Sequence, residues 1–253
     1  MAARKPANRE QRTIRAVTII SRLDKAHPGA KLALDFTTPF ELLCALILAA
    51  QCTDDKVNEI TGAFLFDKYR GPRDYVRVPQ EELEKDIHST GFYRNKAKAL
   101  KGCSEQLIER FGGEVPSTLE QLTSLRGVGR KTANILRGNA FGQDAIGVDT
   151  HVGRLSQRLG FTKQTDPDKI EADLTALVPR RHWTHLCHLL QAHGRRVCHA
   201  RKPNCPECVI RDLCPYPDKG PAARVQGSGS GIQSRKGLRS AFGVPGPRSK
   251  GRK

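Results

Sequence analysis

The chain has 253 residues and a formal net charge of +17, from 43 lysines and arginines against 26 acidic residues. That length suffices for one large or two ordinary domains, and excludes a peptide too small to bury a core. Such a charge excess points to a polyanionic partner, nucleic acid first, with a merely solubilising surface as the plainer reading.

The excess is unevenly placed. Lys219 to Lys253 holds nine basic residues and no acidic ones, leaving residues 1–218 at about +8. Nucleic-acid binding therefore does not rest on the tail alone. The charged opening Met1-Ala2-Ala3-Arg4-Lys5-Pro6 precedes no apolar run, so no secretory signal is read. The most apolar stretch, Phe40 to Ala50, is far short of the roughly 20 residues that span a membrane. A cytoplasmic protein without membrane attachment is expected. Eight cysteines in such a chain argue against a disulfide framework and for free thiols or a metal site.

Helical periodicity dominates from the start. Ala16, Ile19, Ile20 and Leu23 repeat at helical spacing, and the first ten or so residues before them read as loose. Phe40–Ala50 reads as a buried helix ending at Gln51, a residue that could cap it or face solvent. Val57, Ile60 and Phe64 form the next stripe, then Leu100, Leu107, Ile108 and Phe111. Ser117-Thr118-Leu119-Glu120 fits a capping box before a short helix with Leu119, Leu122 and Leu125 inward. Thr165-Asp166-Pro167 opens a stripe of Ile170, Leu174 and Leu177, proline suiting a first helical turn. No series of alternating strand-like runs appears, so the fold class is all-α. After Tyr216 the composition turns to Gly, Ser, Pro, Arg and Lys, and residues 217–253 are expected to form a disordered basic tail.

Leu125-Arg126-Gly127-Val128-Gly129-Arg130-Lys131-Thr132-Ala133 is the first informative motif. Glycines lacking a Cβ let backbone N–H groups approach an anion, and the following helix N-terminus adds unsatisfied donors. Gly127, Val128 and Gly129 thus suit a DNA phosphate. Arg130 and Lys131 stand where first turns prefer acids, and residues that break a local rule cluster at functional sites. Two uses remain open for them: phosphate contact, or for Lys131 the cationic setting that a nucleophilic amine requires.

A helix over about Arg130 to Ala140 would run roughly 15 Å. The eight residues Phe141 to Val148 could return up to about 26 Å. The chain can therefore bring Asp149 back beside Lys131. Asp149 before Thr150-His151-Val152 is an ordinary N-cap by position, and a carboxylate can cap and do chemistry together.

The hairpin followed by Gly147-Val148-Asp149-Thr150-His151-Val152 resembles the signature of the helix–hairpin–helix DNA glycosylase superfamily. Lys131 at the hairpin's end resembles the endonuclease III branch; monofunctional relatives such as adenine glycosylases lack that lysine. The loop before Asp149 departs from the family in having Asp144 where proline is often found. The resemblance covers roughly residues 12 to 216 and implies two helical lobes flanking a DNA-binding cleft. One is a six-helix barrel over 33–143; the other is a cluster domain over 144–216, joined by the N-terminal segment 1–32. It implies Lys131 as nucleophile and Asp149 as the carboxylate that stabilises a cationic sugar and assists proton transfer. The reaction implied is excision of oxidised pyrimidines through a lysine imine, with β-elimination cutting the strand 3′ to the lesion. The partner is double-stranded DNA with damaged or abasic sites, met by a monomer.

Cys198-x6-Cys205-x2-Cys208-x5-Cys214 places four soft ligands together. By spacing alone, zinc and a four-iron cluster both stay open. The spacing matches the [4Fe–4S] ligands of endonuclease III, and the resemblance implies that cofactor. Arg201 and Lys202 between the first two cysteines read as an exposed basic loop; the resemblance implies phosphate contact. Cys44, Cys52, Cys103 and Cys187 lack such spacing and read as small buried or half-buried residues.

An enzyme acting on a base must extrude it, and something must fill the gap. The resemblance implies Gln51 there, Asp54 at an acidic position beside the pocket, and a second wedge at Phe92, where the family commonly has leucine. A mismatch glycosylase for adenine or thymine is the rival enzyme reading, and Lys131 counts against it. A non-catalytic hairpin DNA-binding protein is the rival from another class; it would not need Lys131 and Asp149 together.

Overall fold

The computed structural model describes residues 8–217. These lie within one unit, Met1–Ala222; the tail expected over 217–253 falls outside the described residues from 218 on, as do residues 1–7. Among the described residues every regular element is helical.

Helix α1, Arg9–Ala26, starts where the Asn8 side chain accepts the Gln11 N–H at 2.8 Å. That N-cap satisfies one of the orphan donors of a first turn. It also places residues 9 and 10 in regular structure, closer to the start than composition suggests. Helix α2, Pro39–Leu48, has Pro39 at its first position and a reciprocal cap: Thr38 Oγ1 accepts from the Glu41 N–H, and Glu41 Oε2 from the Thr38 N–H. Buried residues Leu42 to Ala45, Ile47 and Leu48 cover nearly its whole surface, making α2 the centre of a core. Truncating Leu43 there to alanine would cost roughly 2–5 kcal/mol through lost transfer energy and a cavity.

Helix α3, Asp54–Ile60, runs into a π turn, Thr61–Leu65, and a short helical turn, Phe66–Lys68. This overturns one expectation. The extra residue of a π turn rotates the register, so Leu65 is fully buried and Phe64 points outward, 38% exposed. Helices α4 (Pro72–Arg77), α5 (Gln80–Asp86) and α6 (Tyr93–Phe111) follow. Helix α7, Leu119–Thr123, is capped one residue later than the sequence suggests. Thr118 rather than Ser117 accepts the backbone N–H, from Gln121, and its hydroxyl also bonds the Gln121 side chain. Glu120 is therefore not the reciprocating residue.

Helices α8 (Arg130–Ala140), α9 (Thr150–Arg158), α10 (Pro167–Leu177) and α11 (Trp183–Arg196) complete the set. Two separate cores result. One gathers buried side chains from Leu34 to Leu136. The other joins Ala16, Ile19, Ile20 and Leu23 of α1 to residues from Ile146 to Ile210. The chain thus leaves its second core, builds the first, and returns through the loop after α8.

Candidate active site

The hairpin turn depends on Gly127, whose φ of +81° is a left-handed conformation and whose added Cβ would lie 3.1 Å from Ala99 Cβ. Val128 between the glycines is 6% exposed and anchors the turn in the first core. Gly129 is the N-cap of α8 and supplies no side-chain hydrogen bond. The first-turn N–H groups of α8 therefore remain open to an external acceptor such as a phosphate. Lys131, exposed, projects from this turn.

Arg130, expected at a DNA phosphate, has a partner within the chain. Its Nε and Nη2 each donate to the Glu171 carboxylate of α10 at 2.8 Å, with Asp168 near by. This two-pronged pair engages the guanidinium at the surface, where the side chain stays 46% exposed.

Asp149 returns to Lys131 because the intervening loop is pinned. Asn134 Nδ2 donates to the Ile146 carbonyl at 3.0 Å within the interior. Gly147 then crosses α8 so closely that an added Cβ would lie 2.6 Å from Ile135 Cγ1 and 3.4 Å from the Lys131 carbonyl. Asp149 caps α9, its Oδ1 accepting the Val152 N–H at 2.7 Å. Capping and cleft lining coexist: Lys131 and Asp149 share a cleft of about 530 Å³ with Gln51, Asp54, Gln191 and Arg195. Arg195 of α11 donates to Asp54 Oδ2 at 2.5 Å, tying the end of one helix to the start of α3 beside the cleft. Sequence reading named neither Arg195 nor Gln191; their partners lie too far along the chain for spacing to reveal.

Gln51 and Phe92 are the non-glycine residues with positive φ among the described residues, at 54° and 49°. Both are exposed, Phe92 by 63%. An exposed aromatic ring on a strained backbone is retained where surrounding structure holds it for a purpose. Gln51 lines the cleft; Phe92 is not among the cleft residues.

Behind α9 lies the cysteine site. Cys198, Cys205, Cys208 and Cys214 all line one cavity, capped by the 3₁₀ turns Cys205–Glu207 and Arg211–Leu213. Cys198, Cys205 and Cys214 all lie close enough to Cys208 to push its pKa up, so the four thiols gather as one set of soft ligands, as a thiolate-held cluster requires. Burial pushes the Cys208 thiol up to about 11, so a thiolate there needs compensating positive charge. At a different thiol of the set, Arg158 Nη1 lies 3.2 Å from Cys198 Sγ and puts positive charge beside it. Arg154 of α9 donates to the Cys198 carbonyl at 3.1 Å and contacts His151 Nδ1 at 3.2 Å, linking the Asp149 helix to this site. Burial holds the His151 imidazole below its ordinary pKa. Arg201 and Lys202 are exposed on the loop between the first two cysteines. Cys44, Cys103 and Cys187 are buried and Cys52 is half-buried.

Comparison with known proteins shows the family. Residues 44–180 match the model of the HhH-GPD superfamily of base excision DNA repair proteins. Residues 198–214 match the iron–sulfur binding domain of endonuclease III. Endonuclease III of Synechocystis sp. is 50% identical over 213 residues, 84% of this chain and 95% of the relative. That of Bacillus subtilis is 46% identical over 196 residues, 77% of this chain and 89% of the relative. A solved structure of a trapped endonuclease III–DNA covalent intermediate, an estranged-adenine complex, aligns with TM-score 0.77 at 44% identity. It covers 81% of this chain and 96% of its own.

Proposed function

The chain belongs to the endonuclease III family within the HhH-GPD superfamily, and on that premise we propose that Lys131 and Asp149 excise oxidised pyrimidines from double-stranded DNA. It is a DNA glycosylase with abasic-site lyase activity, and it carries a [4Fe–4S] cluster. The observation that carries the site assignment is the meeting of Lys131 and Asp149 in one cleft, brought together by the tight crossing at Gly147.

The damaged nucleotide is extruded into the cleft, with Gln51 filling the gap and Phe92 acting as a second wedge on the duplex. Lys131 Nζ attacks the sugar C1′ as the base departs with a proton. Asp149, its Oδ1 held by the Val152 N–H, offsets the positive charge that develops on the sugar. Ring opening leaves an imine between Lys131 and C1′. The imine acidifies C2′; loss of that proton expels the 3′ oxygen by β-elimination and cuts the strand.

Phosphates are held by the backbone of Gly127, Val128 and Gly129, by the open first turn of α8, and by Arg201 and Lys202. Arg130, paired with Glu171, contributes by holding α8 against α10. Cys198, Cys205, Cys208 and Cys214 would hold the cluster, and Arg201 and Lys202 lie on the loop between the first two of them. The two buried cores support lobes over 33–143 and 144–216. The cleft is complete within one chain, which supports action as a monomer. No described helix is long and apolar enough to cross a membrane; a DNA substrate supports a location in the cytoplasm at the nucleoid.

A duplex with one thymine glycol tests the reading. The protein should release the damaged base and nick the strand 3′ to its site, leaving the undamaged duplex intact. Base release with an unbroken strand would make it a monofunctional glycosylase and remove the lyase role from Lys131.

A further inference from the structure

The excision chemistry leaves one buried contact unused. His27, at the end of α1, has its Nε2 3.0 Å from Nδ1 of His193 in α11, with the ring centroids 5.2 Å apart. The residues are 4% and 2% exposed. On its other side His193 Nε2 lies 3.5 Å from Sγ of Cys208. The imidazole of His193 therefore bridges His27 and one thiol of the four-cysteine cavity.

A thiolate at that sulfur allows one proton pattern. An iron-bound thiolate has no proton to give, so His193 Nε2 must be the donor. A neutral imidazole has a single N–H, which leaves His193 Nδ1 an acceptor for the N–H on His27 Nε2. His27 Nδ1 is then an unprotonated lone pair, and it is buried with no hydrogen-bond partner. An orphaned acceptor is a cost to folding. The fold tolerates it here, where reversing the two rings would take the donor away from the sulfur.

We propose that His193 is a positioning residue for Cys208, donating its Nε2–H to the cluster-bound thiolate while His27 holds the required tautomer. The proposal rests on the reading of the four cysteines as cluster ligands. A hydrogen bond to a ligand sulfur stabilises the more negative, reduced cluster and so raises its reduction potential. It also occupies a lone pair whose protonation would release iron. Residues beyond the ligands commonly orient and tune a metal site in this way; here the second partner comes from the far N-terminal helix.

The test uses iron-loaded protein and reads the cluster itself. Three variants are compared: His193→Leu removes the donor, His193→Gln keeps an amide N–H near the Nε2 position, and His27→Phe keeps a ring but removes the tautomer lock. His193→Leu should lower the one-electron reduction potential by about 59 mV, a tenfold change in the equilibrium ratio. It should also release iron to a chelator several-fold faster. His193→Gln should stay near the unaltered protein, and His27→Phe should shift the same way as His193→Leu by less. Equal potentials in His193→Leu and the unaltered protein would overturn the proposal. So would equal shifts in the leucine and glutamine variants, which would assign the effect to packing. If His193→Leu takes up no iron, His27→Phe decides, since His193 is still present: an unchanged potential overturns the proposal. Unaltered protein that holds zinc, or no metal, would sink the cluster reading itself, a separate outcome seen before any variant is made.

Discussion

Replacing Gly147 by alanine places a methyl group where the returning loop crosses α8. The new Cβ would sit 2.6 Å from Ile135 Cγ1 and 3.4 Å from the Lys131 carbonyl. Carbon atoms pack at about 3.5–4.0 Å, so the loop and helix must part by roughly 1 Å. Overpacking of this kind costs about 1–3 kcal/mol. The same displacement moves Asp149, two residues on, away from Lys131. A misplacement of about 1 Å in a reacting pair can cost ~10²-fold in rate. Denaturant unfolding and single-turnover excision of thymine glycol measure the two effects. Ile135→Ala in the same chain removes the clashing Cγ1 and should recover much of the activity, giving a favourable coupling between the two changes. Gly147→Ala that excises the lesion at the normal rate would refute the claim that this crossing sets the Lys131–Asp149 geometry.

Further outcomes follow from single groups. Asp149→Asn keeps much of the α9 cap but loses the charge facing the sugar; excision should fall ~10²–10³-fold, while cleavage of a pre-formed abasic site falls far less, as gel assays on the two substrates would show. His188 is half-buried and donates Nε2–H to Asn139 Oδ1 at 2.9 Å, and desolvation lowers its pKa to about 4. With a folded value below the unfolded ~6.5, the unfolded chain binds the extra proton, so stability is full above ~6.5 and falls as pH drops towards 4, by at most about 3 kcal/mol. His188→Gln should flatten that stretch of the stability–pH curve measured by chemical unfolding. Removing residues 219–253, with nine basic and no acidic residues, should shallow the dependence of log affinity on log salt without changing lesion preference; an unchanged slope would show that the tail does not touch DNA.

What was legible in the sequence was what is local or periodic. The stripes Ala16 to Leu23 and Ile170 to Leu177 are buried as read, because a helix face repeats within a few residues. The glycine pair of the hairpin and the four-cysteine spacing are likewise contiguous, and both fall within family matches. The Phe64 reading failed because a π turn leaves no period to see. Ser117 lost the cap to Thr118 because two adjacent hydroxyl residues can each offer the same bond, and only the chain's direction of entry decides. Arg130 with Glu171, Arg195 with Asp54, and His27 with His193 join residues 41 to 166 positions apart. Nothing in either segment alone marks such a partner. Gln51 and Phe92 were singled out by resemblance, but their left-handed backbones are a property of the folded turns that hold them.

Borohydride trapping tests the central claim most directly. If Lys131 Nζ forms the imine, borohydride added to the protein with a thymine-glycol duplex should reduce it to a stable amine and leave one covalent protein–DNA adduct. Peptide mapping should place the DNA on Lys131. Lys131→Gln should bind the lesion duplex, with affinity lowered only modestly by the lost charge, and yield no adduct. An adduct of normal yield from Lys131→Gln would contradict the account and move the nucleophile elsewhere in the chain.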